Sequence, residues 1–460
     1  MDKQVTMSGQ EIREDWIPRS DYVGAHVAEN EKEYLWPYAW QMACRETDLK
    51  EVGDYVVYDL VDDTILIMRS GTGPDDIYAA YNVCQHRGRK LMTEEKGNAG
   101  SRMLCKYHGW QYDTSGQLVH VPFEGDYAGC PGFAKEKLSL PRIRWARWGG
   151  WIWVNQDEAC EPLDSFLGVI PEMIDPFEPE NMRPVWNKTL IAPVNWKTIL
   201  EAFNESYHAI PTHNSNMIYN MHSPTTNYGL HGHYRFEQLT EGMEGASTAA
   251  TRYRASNGKW TTARSIAETI WAAHKVLDNM LYAMTLEPTM DAALRLRGEM
   301  ADETDPMKVM QRFWELQQDE MARRGVKWPE RLTPEAIEKC GVSWHIFPNS
   351  IVLPTVDGAL WYRFRPYPGD ASRCFVDLWS FGRFAPGEEP VIQHEIYDGF
   401  EAFAGQNPFL EEDFPNVRLA EQGMKCRGWK GARINPAQEG LVANFHRNMA
   451  EFMAEKRAGR

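Results

Sequence analysis

The chain has 460 residues, and 49 Lys and Arg against 65 Asp and Glu give it a formal net charge of −16 at pH 7. With 43% hydrophobic and 25% charged residues it has the composition of a globular protein with a large core, which excludes disorder as its main state. The acidic balance argues against nucleic acid as a partner, because an acidic surface repels phosphate.

The sequence carries no targeting or membrane signal. Its first 18 residues lack the apolar core of a signal peptide, and nowhere do about 18 apolar residues follow one another. We therefore expect a cytoplasmic protein that contacts no membrane. Thiols stay reduced in the cytoplasm, so the eight Cys should be free or metal-bound rather than paired as disulfides.

The segment from residue 36 to 157 has the pattern of β-structure. Short runs rich in β-branched and aromatic residues, such as Tyr55–Tyr58, Thr64–Met68 and Gly150–Val154, alternate with turn signals. This pattern predicts a small antiparallel sandwich or barrel.

After residue 158 the pattern becomes mixed. Apolar residues at helical or strand spacing predict five helices (Trp196–Ala209, Thr262–Met284, Met307–Arg324, Pro408–Gln422, Ala437–Lys456) and three strands (His345–Leu353, Ala359–Phe364, Arg373–Phe381). We therefore predict an α+β fold. The small all-β domain, residues 36–157, is inserted into a larger domain of residues 1–35 and 158–460, where helices cover an antiparallel sheet in a helix-grip-like arrangement.

The predicted β-domain contains two Cys–His pairs, Cys84 with His86 and Cys105 with His108. Two pairs at ligand spacing favour a metal over ordinary loop residues. Two Cys and two His suit zinc, although structural zinc sites usually pair Cys with Cys. They also suit a Rieske [2Fe–2S] cluster, in which two Cys hold one iron and two His hold the other. Mixed pairs fit the cluster better.

These pairs also resemble a known family. Cys-x-His-Arg-Gly (Cys84–Gly88) and Cys-x-x-His-Gly-Trp (Cys105–Trp110), with 18 residues between His86 and Cys105, resemble the Rieske motif of ring-hydroxylating oxygenase α subunits. Trp36–Met42 and Gly149–Val154 are similar to the same family's Rieske domain. The resemblance implies that Cys84, His86, Cys105 and His108 hold the cluster. Gly88 and Gly109 are expected to let backbone amides hydrogen-bond its sulfurs.

A second group of metal-binding residues lies in the predicted helix at Trp196. Glu201, Glu205 and His208 recur at i, i+4 and i+7, which predicts one helical face. Pro211 disfavours helical geometry in the residue before it, so we expect a turn that brings His213 back. Two His and one carboxylate form the facial triad of non-haem Fe(II) enzymes that activate oxygen. The alternative is a solvated helix and loop that bind nothing.

The family resemblance extends to this group. Its iron motif, an acid, two residues, His, four residues and His, maps onto Glu205, His208 and His213. The third ligand implied is Asp413, the last acid of a Glu-Glu-Asp run. The two acids before it, Glu411–Glu412, are expected to favour the N-terminus of a helix.

In that family, the acid at position 205 links the cluster of one subunit to the iron of the next. The implied bridge runs from His108 of one subunit through Glu205 to His208 of its neighbour. Many members have Asp here. Glu adds one methylene and keeps both acceptor oxygens, and Glu205 as an iron ligand is a second possibility.

Candidate substrate contacts come from two places. Phe203 and Asn204 lie one turn from the iron ligands, and the predicted strand at Ser343 offers His345, Phe347 and Asn349. Residues 219–339 are rich in Met and aromatic residues and are predicted to form core or an enlarged substrate pocket.

The resemblance implies an oxidoreductase that incorporates O₂, as in aromatic hydrocarbon catabolism. Electrons would come from a separate NAD(P)H-dependent reductase, directly or through a ferredoxin, since the chain has no nicotinamide or flavin motif. Mononuclear Fe(II) would dihydroxylate or monohydroxylate an apolar, aromatic or polycyclic substrate, or demethylate N- or O-methyl groups. A homotrimer, or a heterohexamer with a small β subunit, is implied. A non-catalytic Rieske electron carrier is the alternative from another class.

Overall fold

The computed structural model describes residues 12–213, 217–218, 222–236, 252–254, 259–280 and 285–459. Contacts divide the chain into two compact units: Lys32–Phe166, and the residues before and after that segment. The predicted limits of the β-domain, 36–157, lie inside Lys32–Phe166 and stay a prediction.

The chain reaches the unit of residues 32–166 through strand β1 (Trp16–Pro18) and helix α1 (Ala25–Tyr34). The unit contains ten strands, listed here in chain order: β2 (Gln41–Arg45), β3 (Asp54–Leu60), β4 (Asp63–Arg69), β5 (Ile77–Tyr81), β6 (Lys96–Asn98), β7 (Arg102–Leu104), β8 (Gln111–Asp113), β9 (Leu118–His120), β10 (Arg144–Trp148) and β11 (Trp151–Asn155). They form three antiparallel sheets, ordered β5-β4-β3-β6, β7-β8-β9 and β10-β11-β2. The β-branched runs seen in the sequence form the buried pair β3 and β4, in which Val56 lies opposite Ile67.

The other unit mixes helices and strands. Its helices are α2 (Leu163–Leu167), at the unit boundary, α3 (Ile170–Ile174), α4 (Trp196–Glu201), α5 (Ala209–Thr212), α6 (Ile266–Met280), α7 (Glu287–Glu299), α8 (Pro306–Arg323), α9 (Pro334–Cys340), α10 (Phe400–Phe403), α11 (Pro408–Lys425) and α12 (Gly440–Ala458). Its strands after β1 are β12 (Arg183–Ala192), β13 (Met217–Ile218), β14 (Thr225–Tyr228), β15 (His231–Tyr234), β16 (Arg252–Arg254), β17 (Trp260–Thr262), β18 (Ser343–Ile346), β19 (Ser350–Pro354), β20 (Gly358–Tyr367), β21 (Asp370–Gly382), β22 (His394–Asp398) and β23 (Gly431–Arg433).

A sheet of eight strands forms the centre of this unit, in the order β14-β15-β18-β19-β20-β21-β12-β22. All neighbours are antiparallel except β12 and β22. Helix α4 packs against β20 and β21, and α12 packs against β14 and β15. Trp196 of α4 meets Phe445 of α12 edge to face at 5.6 Å, so the two helices cover the sheet side by side. The predicted α+β class is confirmed.

Three sequence predictions of elements need correction. The single strand predicted at His345–Leu353 is two strands, β18 and β19, joined around Pro348, which has no N–H to donate to a sheet. Helix α7 was not predicted. Helix α6 begins at Ile266, four residues after the predicted start at Thr262, and the predicted end, residues 281–284, lies outside the described residues.

Helix α4, which carries the residues next to the candidate iron ligands, is fixed at its start. Asn195 caps it by accepting a hydrogen bond from the Lys197 amide at 3.0 Å. The Lys197 ammonium is buried and forms an ion pair with buried Glu31 of α1, which also accepts from the indole N–H of Trp196 at 2.9 Å. These contacts tie α4 to the N-terminal helix.

Within the described part of the chain, no helix combines the length and hydrophobicity needed to cross a membrane.

Candidate metal centres

The two Cys–His pairs lie in two loops with the same backbone pattern. In each loop the cysteine amide donates to the carbonyl five residues ahead, at 2.9 Å for Cys84 and 2.8 Å for Cys105. The amides of Gly88 and Gly109, four residues after each cysteine, donate back to the cysteine carbonyls at 3.0 Å. Both glycines have positive φ, 73° and 77°, which side chains rarely adopt. Each loop is therefore a closed turn that its glycine makes possible.

The expected role of these glycines, to let backbone amides reach the cluster sulfurs, stays a prediction. Their own amides are used within the loops and do not turn toward the cysteine sulfurs, because each closes the turn by bonding the cysteine carbonyl. Gly88 and Gly109 act through their conformation.

The four predicted ligands of the first site come together. Cys84 and Cys105 are buried free thiols, and the rings of His86 and His108 lie 4.5 Å apart, centroid to centroid. The Nδ1 atoms of both histidines are buried without a hydrogen-bond partner, although each ring is only partly buried. Buried polar atoms in proteins are normally satisfied. Two orphaned Nδ1 atoms beside two buried thiols fit a cluster with two sulfur and two imidazole ligands.

Neighbouring aromatic residues position this group. The Tyr112 hydroxyl accepts from the Gln85 amide at 2.9 Å and lies 3.5 Å from the Cys84 sulfur. Trp110 stacks on His86 at 4.9 Å. Burial raises the pKa of the Cys84 thiol, and burial with the nearby His108 lowers the pKa of His86. A lowered pKa keeps His86 neutral, the form that binds metal.

At the second site, the predicted continuous helix is wrong. Helix α4 ends at Glu201, and the chain turns before α5. The Glu205 carboxylate accepts backbone hydrogen bonds from Tyr207 and from His208, the latter at 3.1 Å. These bonds to a side chain replace helical bonds, so Glu201 and His208 do not share a helical face.

The expected effect of Pro211 is also wrong. Pro211 lies inside the short helix α5, whose first turn needs no amide donor from it. The His213 amide continues the helix by donating to the Ala209 carbonyl at 2.8 Å. His213 reaches the site at the end of this helical turn, without a fold-back.

The three predicted iron ligands nevertheless converge. The Nε2 atoms of His208 and His213 lie 3.4 and 3.3 Å from Oδ1 of Asp413, and one ligand atom from each residue fits within a 4.8 Å group. His213 and Asp413 are buried. Two imidazoles and one carboxylate on one side match the donor set of a non-haem Fe(II) site.

In each of the two histidines, Nδ1 lies within hydrogen-bond distance of a carboxylate. Nδ1 of His208 lies 2.5 Å from Glu205, and Nδ1 of His213 lies 2.8 Å from Glu412. With the ring proton on Nδ1, the lone pair of each Nε2 faces the ligand group, as in metal sites whose histidines are oriented by carboxylates. Phe409 stacks on His213 at 3.9 Å and fixes the ring from its face.

The sequence missed the role of Glu412. It was expected only to favour the helix terminus, a role that Glu411 fills by accepting amide hydrogen bonds from Gly405 and Asn407 at 3.0 and 2.9 Å. Glu412, the next residue on α11, faces His213. Its only sequence signal is its position beside Asp413.

Burial sets the charge of this site. It raises the pKa of Asp413 to about 7, with the charge of His208 acting against the rise and those of Glu205 and Glu412 adding to it. Burial also opposes a charge on His208, but its bond to Glu205 leaves its pKa raised. A bound cation would offset the cost of burying the charged Asp413 carboxylate. The Glu205 oxygens are committed to His208 and to backbone amides, so the described contacts disfavour Glu205 as an iron ligand. Its bridging role stays a prediction.

The candidate substrate residues fall into two groups. Asn204 is 1% exposed, and neither its amide nitrogen nor its amide oxygen has a partner among the described residues. Phe203 stacks on Tyr362 of β20 at 4.9 Å, and burial with the charges of Tyr234 and Asp413 raises the pKa of Tyr362. Phe203 and Asn204 thus form an aromatic stack and an unsatisfied amide in the chain just before Glu205, and neither lines the cavity beside the metal-binding group. Their role at the site stays a prediction.

The second group packs elsewhere. His345 and Phe347 contact Phe445 and Phe452 of α12, and the Asn349 amide donates to a backbone carbonyl of β20 at 2.7 Å. Their place in a substrate pocket stays a prediction, and these contacts favour a packing role.

A cavity of about 240 Å³ opens beside the second site. Glu205, His208 and Asp413 line it together with Tyr22 and Glu439. It gives small molecules an approach to the metal-binding group through a mostly apolar wall that carries several carboxylates.

Two family models match the chain. Residues 39–132 match the Rieske [2Fe-2S] domain, and residues 179–455 match the catalytic domain of the ring hydroxylating alpha subunit. The second match covers more than half of the chain, which therefore belongs to the ring-hydroxylating α-subunit family. The first match resolves the choice between zinc and a [2Fe–2S] cluster in favour of the cluster.

Curated relatives include both kinds of oxygenase. The chain is 32% identical over 196 residues to the α subunit of chlorobenzene dioxygenase from Cupriavidus sp. (strain PS12), which is 42% of each chain. It is 29% identical over 205 residues to the oxygenase subunit of carnitine monooxygenase from Escherichia coli (strain K12), which is 44% of this chain and 53% of the relative. The matches thus span about half or less of each relative's length.

A solved structure extends the similarity over the fold. The chain resembles the quaternary ammonium Rieske monooxygenase CntA, crystallised with γ-butyrobetaine, with a TM-score of 0.61 at 17% identity and 95% coverage of both chains. At this identity the likeness concerns the fold alone.

Proposed function

We propose that this chain is the terminal oxygenase subunit of a Rieske non-haem iron enzyme. The observation that carries the proposal is the convergence of His208, His213 and Asp413 in a chain that also holds the Cys84–His86 and Cys105–His108 loops. When bound, the cluster supplies single electrons and the Fe(II) ion activates O₂. The reducing power comes from a separate NAD(P)H-dependent reductase, with or without a ferredoxin.

The residues of the proposed mononuclear iron site each have a defined task. His208, His213 and Asp413 hold the ion, and Glu205 and Glu412 keep the ring proton of each histidine on Nδ1. Glu205 also provides the link between subunits: its carboxylate is bonded to His208 and lines the cavity described above, where His108 of a neighbouring subunit would approach it. This arrangement requires a trimer, with or without a small β subunit.

The substrate is an apolar aromatic or polycyclic molecule, hydroxylated once or twice. The support is the aromatic cluster of Phe203, Tyr362 and Phe364, in which Phe203, two residues before Glu205 in the chain, stacks on Tyr362 at 4.9 Å and lies 5.9 Å from Phe364. Such a cluster favours planar substrates. Oxidative N- or O-demethylation is the second candidate, supported by the relative that is named a carnitine monooxygenase.

Iron analysis and oxygen transfer test this function together. The purified protein should hold about three Fe per chain, two in the cluster and one mononuclear. With a reductase and ferredoxin pair it should transfer ¹⁸O from ¹⁸O₂ into naphthalene or toluene. His213→Ala should keep the visible absorption of the cluster and lose one iron and all transfer. Two Fe per chain without ¹⁸O transfer to any substrate of a broad screen would identify an electron carrier instead.

The bridging role of Glu205 has its own test. Glu205→Gln should retain both metals, while reoxidation of the reduced cluster by O₂ in the presence of substrate slows at least tenfold. Asp at this position should restore part of the rate, since it keeps a carboxylate. Reoxidation of Glu205→Gln at the rate of the unmodified protein would exclude the bridge.

A further inference from the structure

A second, larger cavity lies away from the metal-binding residues. Its volume is about 610 Å³, within the range of small-molecule sites, and its walls come from helices α8 and α9 and the turn between β19 and β20. It shares no lining residue with the cavity beside His208 and Asp413. It is therefore a separate space in this unit.

Helix α8 presents two apolar faces, and only one of them is covered by other helices. Val309 and Leu316 are fully buried against α6 and α7. Met307, Met310 and Trp314 line the cavity instead, and the two methionines are 76% and 50% exposed. Flexible methionines around an opening suit a site that accepts ligands of varied shape.

The cavity wall is aromatic and carries uncommitted polar atoms. Phe177, Phe313 and Trp314 provide rings. Gln317 is 6% exposed and donates from its amide nitrogen to Thr289 at 3.2 Å. Within the described residues, its amide oxygen and the indole N–H of Trp314 have no hydrogen-bond partner. Both residues line the cavity, so a ligand with a matching donor or acceptor can bond to these atoms.

A histidine adds a third polar group. His274 lines the cavity and uses Nδ1 for a 2.9 Å bond to the Thr285 hydroxyl, while its Nε2 has no partner in the described part of the chain. Burial lowers the pKa of His274 to about 4, so the ring is neutral at physiological pH.

The one buried carboxylate of the wall is already committed. Asp357 accepts the Leu286 amide at 3.1 Å, at the start of α7, and the Thr355 hydroxyl at 3.2 Å. Glu338, the other lining carboxylate, is exposed to solvent. The buried part of the wall therefore offers a charged ligand no free counter-charge, whereas a neutral one finds both donors and acceptors there.

We infer that this cavity binds an uncharged aromatic molecule of one to three rings that carries a hydroxyl or carbonyl group. The rings would pack against Phe313 and Trp314, and the polar group would bond to the Gln317 amide, with the Trp314 N–H and His274 as further partners. The inference is independent of the proposed oxygenase function, since it uses none of the metal-binding residues.

Binding of 2-naphthol to the holoenzyme tests the inference. Calorimetric titration should show saturable binding, and Gln317→Leu, which keeps the volume and removes the polar atoms, should weaken it at least tenfold. Gln318→Leu is the matched control, because Gln318 is the next residue on α8 and does not line the cavity. It should leave the affinity within twofold. Asp413→Ala should also leave the affinity within twofold.

A crystal of the holoenzyme soaked with 6-bromo-2-naphthol locates the site directly. The anomalous signal of bromine should lie between α8 and α9, next to Trp314. Bromine found only beside His208 and Asp413, loss of binding in Asp413→Ala, equal affinities of Gln317→Leu and the unmodified protein, or no saturable binding would each overturn the inference.

Discussion

The two metal centres hold histidines in opposite ways. At the cluster site, the buried Nδ1 atoms of His86 and His108 have no hydrogen-bond partner among the described residues, and closed backbone turns around Gly88 and Gly109 shape the loops that carry them. At the mononuclear site, Nδ1 of each histidine is bonded to a carboxylate, and Nε2 is the atom that faces the other ligands. At the first site, backbone turns and packed aromatic rings hold the ligands, whereas at the second site carboxylates bond directly to the histidines.

This difference follows from how each site is assembled along the chain. Cys84 and His108 belong to neighbouring loops of one unit, where local turns suffice to position them. His208 immediately precedes α5 and Asp413 lies on α11, and the fold around the central sheet must bring these two segments together. Charged side chains that link α5 to α11 then fix the ring orientation that the backbone alone does not set.

The largest expected effect is a reciprocal loss of iron. Asp413→Ala should lose the one mononuclear iron and keep the visible absorption of the cluster, because the cluster ligands lie in a different compact unit. Cys84→Ala should lose the cluster, about two of the three irons, and keep one. Iron and acid-labile sulfide analysis measures both. Loss of all iron from either variant would mean that the two sites do not fill independently.

The same contrast explains what the sequence could predict. Ligands at short, regular spacing within loops, such as Cys84 with His86, can be predicted from the sequence because the turn that positions them is local. The strands β3 and β4 were readable for the same reason, since their β-branched runs form adjacent hairpin strands.

The wrong sequence predictions concern segments where side chains compete with the backbone for hydrogen bonds. Nothing in the spacing of Glu201, Glu205 and His208 reveals that the Glu205 carboxylate captures two amides and ends the helix. Three consecutive acids at the start of α11 point in directions about 100° apart, and only tertiary packing decides that Glu412 meets His213. His446, which meets Glu201 from α12, had no local signal at all.

A pH effect on stability is expected next in size, and it comes from His446, a buried histidine of α12. Buried His446 lies 2.6 Å from Glu201 and near Asp21, and although burial opposes its charge these acids raise its pKa to about 9. An unfolded chain has a histidine pKa of about 6.5. The stabilisation is thus complete below pH 6.5 and is lost as the pH rises through 9, by at most about 3 kcal/mol. His446→Gln should flatten the free energy of unfolding between these pH values, measured by urea denaturation. An unchanged slope would contradict the charged form.

Removing a carboxylate from a histidine should weaken the mononuclear centre by a smaller amount. Glu412→Ala leaves Nδ1 of His213 without its partner at 2.8 Å, so the ring loses its fixed tautomer and orientation. Affinity for Co²⁺, followed by its visible absorption in the protein, should fall about 10- to 100-fold.

The neighbouring acid provides the matched control for that variant. Glu411→Ala removes the same charge from the same turn of α11 but only the helix-capping bonds to Gly405 and Asn407. It should cost about 1 kcal/mol of stability and leave Co²⁺ affinity within threefold. Equal losses of affinity in both variants would show that the charge of the turn matters, and the bond to His213 does not.

The smallest expected effect tests the cluster site, where few side chains support the ligands. The Tyr112 hydroxyl accepts from the Gln85 amide, so its proton is free to meet the Cys84 sulfur at 3.5 Å. Hydrogen bonds to sulfur stabilise the reduced cluster. Tyr112→Phe should lower the reduction potential by about 20–60 mV, the equivalent of 0.5–1.5 kcal/mol for one electron. Tyr78→Phe, in the same core, loses a 2.8 Å bond to the Leu140 carbonyl and should leave the potential unchanged. Equal shifts in both variants would assign the effect to packing and leave the backbone loops as the main support of the cluster.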